Sequence, residues 1–382
     1  MAQSVHAILQ YFKHLESGHS LISLINIPNA IGLSFASLYF KSQGLPIFKI
    51  IIVWAISPAV AMLVVSLVRS YSIRTFLCIG ILLYAMKALT LFFYFKYSYL
   101  LYGMLAGLVL GIFWVALNYI FFSRSPSANH AKNSSVYFII PSLLGIILPP
   151  VGALIIGYTN FKVLFALVVL LSPISLGYVL KKIPAQIAVF NFRDSHRRFK
   201  GLKLITGFEG ALHFFQSVFI PVYILLFLTS EFEVGGFHSY TAFIGFIVTV
   251  ILAKYSDKQQ KRLVVIAPLL IAMGVVILLL GAIHQVWWWL MLIGVYSFLD
   301  NITLPIRFAI PMDFKGKDIG FWAMSEFYGN FGRTVLLALS AVFFYFNAYW
   351  LAFIIFALIA LFYPSVINYQ IKRNLHKPLL TS

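Results

Sequence analysis

Apolar runs of similar length alternate with short polar stretches along most of the chain. The runs cover residues 20–40, 46–68, 74–95, 98–122, 135–158, 161–180, 203–229, 237–254, 262–283, 286–311, 319–345 and 347–369. Each run is close to the roughly 20 residues with which a helix crosses a hydrocarbon core about 30 Å thick. The alternating segments of about ten residues that mark a membrane β-barrel are not seen. The pattern therefore predicts an all-α polytopic membrane protein with about twelve transmembrane helices.

Composition indicates the same fold class. Of the 382 residues, 62% are hydrophobic and only 10% are charged, which is more apolar surface than the interior of a soluble domain can hide. The one cysteine, Cys78, excludes an intrachain disulfide and a cysteine-based metal site. The first residues lack the pattern of a signal peptide, so we expect no removable leader.

The longest polar connection, residues 181–202, is also the most basic, and it separates two sets of six predicted spans. We therefore divide the chain into an N-terminal half (1–180), a basic cytoplasmic linker (181–202) and a C-terminal half (203–382). Pro28 and Pro221 each follow an isoleucine in the first span of their half, and a short basic loop follows the second span of each half. Two parallel six-helix repeats are the simplest account of this echo.

A net charge of +18 could indicate nucleic-acid binding, but most of the 28 basic residues lie in the short connections between spans. If the N-terminus is cytoplasmic, the opposite side receives only Lys41, Lys49, Lys96 and Lys162. This bias predicts that both termini are cytoplasmic in a multi-pass protein of the cell (plasma or inner) membrane. A basic rim against anionic lipid headgroups explains the charge without nucleic acid. We expect a monomer surrounded by membrane lipids.

The loop after the eighth span, "AKYSDKQQKR", resembles the G-x-L-x-D-R-x-G-R-K pattern of the major facilitator superfamily. The matching loop of the first half, "VSLVRSYSIRTF", departs from the pattern because an arginine replaces the acid. The resemblance implies a prokaryotic member of that superfamily, without a subfamily, and a cytoplasmic gate in which an acid exchanges hydrogen bonds between conformations. The alternative is a solvated basic loop. The gate candidates are Asp257, Lys258, Lys261, Arg262, Arg69 and Arg74.

Two further segments carry a resemblance. In the fifth span, Gly145, Pro150 and Gly152 of "GIILPPVGALIIG" are similar to a Gly/Pro-rich segment of exporters in the superfamily, which slightly favours export. In the eleventh span, "FWAMSEFYGNFGRT" is similar to a stretch in some prokaryotic members, and Glu326 and Arg333 share one face of that helix. Because these two residues are two turns apart, we expect each to find its partner elsewhere.

Several ionisable residues fall within the predicted spans, where a charge costs at least about 2.5–3.5 kcal/mol on insertion scales. Each should therefore face the bundle interior or a wet cavity. Asp300 lies deepest in its span, which makes it the stronger candidate for proton coupling. Glu209 and His213 are one helical turn apart and are expected to hydrogen-bond directly, although Glu209 could instead lie at the cytoplasmic interface. The proton-coupling candidates are Asp300, Glu209, His213 and Glu326.

In the superfamily, spans 1, 4, 7 and 10 line a central cavity, which implies a set of candidate substrate contacts. Asparagine amides and a tryptophan occupy the first half, and two arginines occupy the second. The alternative for these residues is helix–helix packing, including a structural pair between Asp300 and Arg307. The substrate-cavity candidates are Asn26, Asn29, Trp114, Asn118, Arg307 and Arg333.

The sequence therefore predicts a secondary active transporter of a small solute that works by alternating access, with protons as the possible coupling ion and export slightly favoured. No G-x-x-x-x-G-K-[ST] loop for ATP and no H-E-x-x-H metal motif occurs, so we expect neither a cofactor nor an enzyme activity. Two alternatives stay open. One is a flippase for a lipid or lipid-linked glycan on the same fold, and the other is a non-transporting membrane protein or enzyme.

Overall fold

The computed structural model describes residues 20–122, 130–255, 262–315 and 318–375. Helices α1 to α6 are Ser20–Ser42, Ile47–Leu67, Ile73–Phe92, Ser98–Phe122, His130–Tyr158 and Phe161–Lys182. Helices α7 to α12 are Lys203–Leu226, Glu231–Tyr255, Arg262–Ala282, Val286–Lys315, Ile319–Tyr345 and Trp350–Leu375. Each predicted span coincides with one of these helices, so the all-α polytopic fold is confirmed.

Ten of these helices, within the described residues, are long and apolar enough to cross a membrane. The two that do not meet this measure are α8 and α9. In α8, Glu231, Glu233 and His238 lower the mean hydropathy of the first half of the helix. In α9, the apolar stretch counted among described residues, Ile266–Ala282, is shorter.

Two helix pairs join the first six helices to the last six most extensively: α2 packs against α11, and α5 packs against α8. Within the two sets, α3 packs against α6 and α9 packs against α12. If each helix of the first set is matched with the helix six positions later, the α3–α6 pair corresponds to the α9–α12 pair. By the same matching α2 corresponds to α8 and α5 to α11, so the two cross-pairs are also equivalent. Two related six-helix repeats would produce this pattern, but the boundaries at residues 180 and 202 stay a prediction.

The crossing of α7 and α11 is a backbone-to-backbone contact formed by glycines. A Cβ atom added to Gly210 would overlap the backbone of Gly329, and one added to Gly332 would overlap the backbone of Gly207. Small residues allow membrane helices to approach this closely. Glu209 lies between the two α7 glycines in the chain, and its side chain contacts Arg307 on α10 and Tyr363 on α12.

A two-stranded antiparallel sheet lies at one end of the bundle and was not predicted. Strand β1 (Ser70–Ser72) precedes α3, strand β2 (Ile187–Val189) lies in the linker, and Tyr71 is opposite Ala188. The hydroxyl of Tyr71 donates a hydrogen bond of 3.0 Å to the carbonyl oxygen of Gly111 on α4. Strands of three residues are too short to show the alternation from which strands are predicted. We call this end of the bundle the linker face.

A short linker helix, Phe192–Arg198, continues from this sheet to α11. Its N-terminus is capped by Asn191, whose side-chain oxygen accepts hydrogen bonds from two backbone amides at 2.9 and 3.3 Å. The ring of Phe199 stacks on Tyr328 with 5.7 Å between centroids, and Arg198 pairs with Asp318 at 3.1 Å. The linker is therefore attached both to the turn between α2 and α3 and to α11.

His196 lies at the centre of the linker contact with α11. Its Nε2 atom is 2.7 Å from Nζ of Lys203, and its Nδ1 atom is 2.7 Å from the hydroxyl of Tyr328. Because a lysine ammonium only donates hydrogen bonds, Nε2 accepts and the imidazole is neutral. Partial burial and the charge of Lys203 both lower the pKa of His196 from its ordinary value of 6.5.

The contact of His196 makes the stability of the docked linker depend on pH. Since the pKa of His196 is lower in the folded protein, the stabilisation is complete above the ordinary value of about 6.5 and is lost as the pH falls below it. We expect the unfolding temperature to fall between pH 7.5 and pH 5.5 by more in the wild-type protein than in His196→Gln, which keeps a neutral side chain. Equal pH dependence in both proteins would contradict this account.

The glycine contact predicts a steric effect of single methyl groups. We expect Gly210→Ala and Gly332→Ala each to destabilise the protein by about 1–3 kcal/mol, because the backbones of α7 and α11 must move apart. Gly236→Ala on α8 is the matched control, since a Cβ there meets no atom within 4 Å. Thermal unfolding in detergent measures the difference, and a loss in the control as large as in the two variants would refute the prediction.

Candidate functional site

A cavity of about 380 Å³ lies between helices of both sets, and α1, α4, α5, α7, α10 and α11 contribute to its wall. Its lining is largely apolar and aromatic. The charged side chains lie on α7, α10 and α11, and α1 and α4 contribute asparagines. Asp300 is absent from this wall, whereas all the other residues predicted to bind substrate or protons lie on it. They are Asn26, Asn29, Trp114, Asn118, Glu209, His213, Arg307, Glu326 and Arg333.

Two of the helices that form the cavity contain a π-helical turn. The turn in α4 is Leu110–Trp114, and the turn in α7 is Phe215–Phe219. A π-turn inserts one extra residue and rotates the side chains that follow it. Both ends of the α4 turn, Leu110 and Trp114, line the cavity. This irregularity has no sequence signature and was not predicted.

The first group of charges, which we call the Arg307 cluster, consists of Glu209, Asp300, Arg307 and Tyr363. Nη2 of Arg307 is 2.5 Å from Oδ1 of Asp300, and Nε of Arg307 is 3.4 Å from Oε2 of Glu209. The hydroxyl of Tyr363 donates to the same Glu209 oxygen at 3.4 Å. Asp300 and Arg307 therefore pair along α10, and Glu209 joins them from α7.

The Arg307 cluster holds one more acid than base. The side chain of Arg307 is fully buried, that of Asp300 is 2% exposed and that of Glu209 is 12% exposed. With every group ionised the cluster would carry one net negative charge, and an unbalanced buried charge is strongly unfavourable. A proton on one carboxylate removes the imbalance. Glu209 is the carboxylate that borders the cavity, and its contact with Arg307 is the longer of the two.

The predicted hydrogen bond between Glu209 and His213 is not formed in the described structure. Glu209 turns instead towards Arg307 and Tyr363, and His213 lines the cavity one turn further along α7. The reason is electrostatic, because a charged guanidinium attracts a carboxylate more strongly than a neutral imidazole does.

The second group, which we call the Glu326 cluster, consists of Asn118, Tyr137, Glu326, Asn330 and Arg333. Nη1 of Arg333 is 3.0 Å from Oε2 of Glu326 and 2.8 Å from Oδ1 of Asn330. The expectation that Glu326 and Arg333 find separate partners is therefore wrong. Helical side chains tilt towards the N-terminus of their helix, so the long Arg333 side chain reaches back along two turns, with Asn330 halfway.

The Glu326 cluster also joins the two sets of helices across the cavity. The amide of Asn118 on α4 donates to Oε1 of Glu326 on α11 at 3.5 Å. Tyr137 on α5 donates to the side-chain Oδ1 atom of Asn118 at 2.9 Å. The guanidinium of Arg333 lies over the ring of Phe214 on α7, 4.7 Å from its centroid. This network would have to break if the two sets of helices moved apart.

The remaining predicted residues have more local contacts or lie outside the described part. Asn26 donates to the carbonyl oxygen of Ile22 in its own helix at 2.8 Å. Arg69 and Arg74 flank β1, and the backbone carbonyl of Arg69 accepts a hydrogen bond from Phe190 at 3.2 Å. The other gate candidates fall outside what the structure describes, so the gate stays a prediction. They are Asp257, Lys258 and Lys261, together with the side chain of Arg262.

Three functional candidates were missed by the sequence analysis. Tyr137 and Tyr363 lie in long apolar runs and have no signal that separates them from packing residues. Lys87 has such a signal, since it is a charge within a predicted span, and it lines a second cavity of about 310 Å³ that adjoins the first. The two cavities share Asn29 and Trp114 as part of their common wall.

Comparisons with known proteins agree with this architecture. The family model of the Major Facilitator Superfamily matches residues 20–331. The fold is similar to that of the human organic anion transporter MFSD10, with a TM-score of 0.67 and 10% identity over 94% of this chain and 99% of that one. It is also similar to the Escherichia coli fucose:proton symporter FucP, with a TM-score of 0.65 and 12% identity over 95% of this chain and 99% of that one. No curated protein matches the chain.

The Glu326 cluster predicts a measurable coupling between its two charged members. Removing one partner of the pair leaves the other charge uncompensated. We therefore expect the losses of stability in Glu326→Gln and in Arg333→Gln to add up to more than the loss in the double variant. A double-mutant cycle on unfolding free energy should give a coupling of about 1–3 kcal/mol. Additive effects would show that the pair contributes nothing.

Proposed function

We propose that this chain, which belongs to the Major Facilitator Superfamily, is a secondary transporter that moves a small solute through the central cavity by alternating access and couples this movement to a proton on Glu209. The solute would bind between the two six-helix halves, 1–180 and 203–382, and the halves would rock about it. Both termini would lie in the cytoplasm of a cell membrane, in agreement with the basic linker face.

The observation that carries this proposal is the surplus acid in the Arg307 cluster. Arg307 is fully buried between Asp300 at 2.5 Å and Glu209 at 3.4 Å. One guanidinium balances one carboxylate, so the second carboxylate favours a proton or a cationic partner in its place. Glu209 suits this role better than Asp300 because it borders the cavity, through which water and protons would reach it.

Proton binding at Glu209 would change the contacts of Arg307, and this is the proposed coupling step. A deprotonated Glu209 attracts Arg307 towards α7, whereas a protonated Glu209 leaves Arg307 paired with Asp300 alone. The fully buried Nη1 atom of Arg307 makes no hydrogen bond within the described residues, so it is a donor that a solute or water could satisfy. FucP, which has a similar fold, is a fucose:proton symporter, and this supports proton coupling on the fold.

Alternating access would also require the Glu326 cluster to open, since Asn118 and Glu326 belong to different halves. In this proposal the Asn118–Glu326 hydrogen bond of 3.5 Å is a weak closure that breaks on each cycle. The gate candidates around Asp257 would complete the closure at the linker face. Export is the slightly favoured direction, because the Gly/Pro-rich segment of α5 is similar to that of exporters in the superfamily. In this segment Gly145 and Gly152 let α5 pack closely against α8 and α1.

The test is transport in sealed proteoliposomes with and without a pH gradient, using labelled L-fucose and fluorescein as probes of a sugar and an organic anion. We expect a pH gradient to drive accumulation in the wild-type protein. Glu209→Gln should abolish this drive while exchange without a gradient persists, because the substitution mimics a permanently protonated side chain. Asp194→Asn in the exposed linker helix is the control and should behave as the wild-type protein does.

Three results would overturn the proposal. Gradient-driven accumulation that survives Glu209→Gln would exclude Glu209 as the proton carrier, and loss of the drive only in Asp300→Asn would assign coupling to Asp300 instead. Scrambling of labelled phospholipid without flux of either solute would favour a lipid flippase.

A further inference from the structure

Lys87 on α3 is a buried lysine that has no acidic partner among the described residues. Its exposed fraction is 5%, and its Nζ atom lies 4.9 Å from the ring centroid of Tyr84 and 5.0 Å from that of Tyr102. Within the described residues it forms no salt bridge. Attraction to two aromatic rings offsets only part of the cost of a charge at membrane depth. A bound anion would therefore stabilise the charged form of the Lys87 amino group.

The position of Lys87 excludes the simplest explanation of a lysine in a membrane helix. Lysines near helix ends usually extend along the surface to reach the headgroups. Lys87 instead turns inwards, is held between Tyr84 of α3 and Tyr102 of α4, and lines the second cavity. No aspartate or glutamate is among the described residues that line this cavity.

The other polar groups of the second cavity suit an anion as well. The hydroxyl of Ser37 accepts a hydrogen bond of 2.9 Å from Nε1 of Trp54, which leaves the Ser37 proton free to donate. Ser57 lines the same cavity. Two serine hydroxyls and the ammonium of Lys87 in one cavity can donate hydrogen bonds to a carboxylate.

The size and remaining lining of the cavity favour an organic anion over a simple ion. Its volume of about 310 Å³ is roughly ten times the share of one water molecule in the liquid. Trp54, Trp114 and Phe214 contribute aromatic surface to the wall. The space thus has room and apolar surface for the body of an organic molecule as well as its charged group.

Among the described residues that line the first cavity, both arginines are paired with acids. Arg307 lies between Asp300 and Glu209, and Arg333 is paired with Glu326. For an anionic solute in the first cavity, the nearest lysine or arginine without an acidic partner among the described residues that line the two cavities is therefore Lys87. It lies in the second cavity, across the shared wall at Trp114.

We propose that the second cavity is a binding subsite for the carboxylate of a small organic anion, with Lys87 as the counter-charge and the apolar body of the solute extending past Trp114 into the first cavity. This inference rests on the proposed function, because it names the chemical class of the transported solute.

The test is equilibrium binding to the purified full-length protein in detergent, followed by quenching of tryptophan fluorescence. The probes are 4-nitrobenzoate and 4-nitrophenylacetate, each compared with its neutral amide. We expect the wild-type protein and Lys87→Arg to bind the carboxylates roughly tenfold or more tightly than the amides. In Lys87→Met, which keeps the length of the side chain but not its charge, the difference should vanish.

A structural role for Lys87 predicts a different result. If Lys87 supported the fold, Lys87→Met would lower the unfolding temperature, whereas removal of an unpaired buried charge should raise it in the ligand-free protein. A lower unfolding temperature, an absence of saturable carboxylate binding, or equal affinity for acids and amides in the wild-type protein would overturn the proposal. Displacement of the carboxylates by chloride at equal concentration would also overturn it, because the site would then be one for inorganic anions.

Uptake of the same carboxylates into proteoliposomes separates this inference from the proposed function. If the carboxylates bind in a Lys87-dependent way but are not taken up with or without a pH gradient, the result would support the subsite and contradict transport. Proton-driven uptake of another solute that is lost in Glu209→Gln, together with carboxylate binding that is indifferent to Lys87, would support transport and contradict the subsite.

Discussion

The contact of Arg307 with two carboxylates is the interaction on which the rest of the cavity depends. A charge at membrane depth is tolerated only when it is paired or reached by water, and the full burial of Arg307 leaves pairing as its means of stabilisation. Asp300 supplies the balancing charge from the same helix. Glu209 adds a second acid at the cavity wall, and this surplus acid is the basis of the proposed proton coupling. The Glu326 cluster is balanced by comparison, with one acid and one arginine at 3.0 Å.

The backbone places these charges side by side. The glycine contact holds α7 close to α11, and Glu209 and Glu326 line the cavity from these two helices. The π-turns of α4 and α7 set the direction of the residues around Trp114 and Phe215. The linker ties the same α11 helix to the turn between α2 and α3 through Tyr328 and the β1–β2 pair. Helix α11 thus lines the cavity and also contacts the linker.

The span pattern predicted the helices because hydrophobic length is a property of each segment alone. It also predicted which charged residues face the interior, since the cost of exposure to lipid applies to Glu209, Asp300 and Glu326 wherever their partners lie. Pairing was less predictable because it depends on side-chain reach and on neighbouring helices. The Glu326–Arg333 pair and the turn of Glu209 away from His213 both follow from such contacts. Lys87 had a clear sequence signal, but its meaning depends on Tyr102, which comes from another helix.

The central claim is that Glu209 carries the proton that balances the Arg307 cluster. Infrared spectroscopy of the ligand-free protein at neutral pH tests it directly, because a protonated carboxyl group has a C=O stretch separate from that of a carboxylate and the chain has only 10 acidic residues. The account predicts a protonated-carboxyl band in the wild-type protein that is lost in Glu209→Gln. Asp300→Asn should lose the band as well, because that variant leaves one acid to balance Arg307. A band that is missing from the wild-type protein, or that persists in Glu209→Gln, would contradict it.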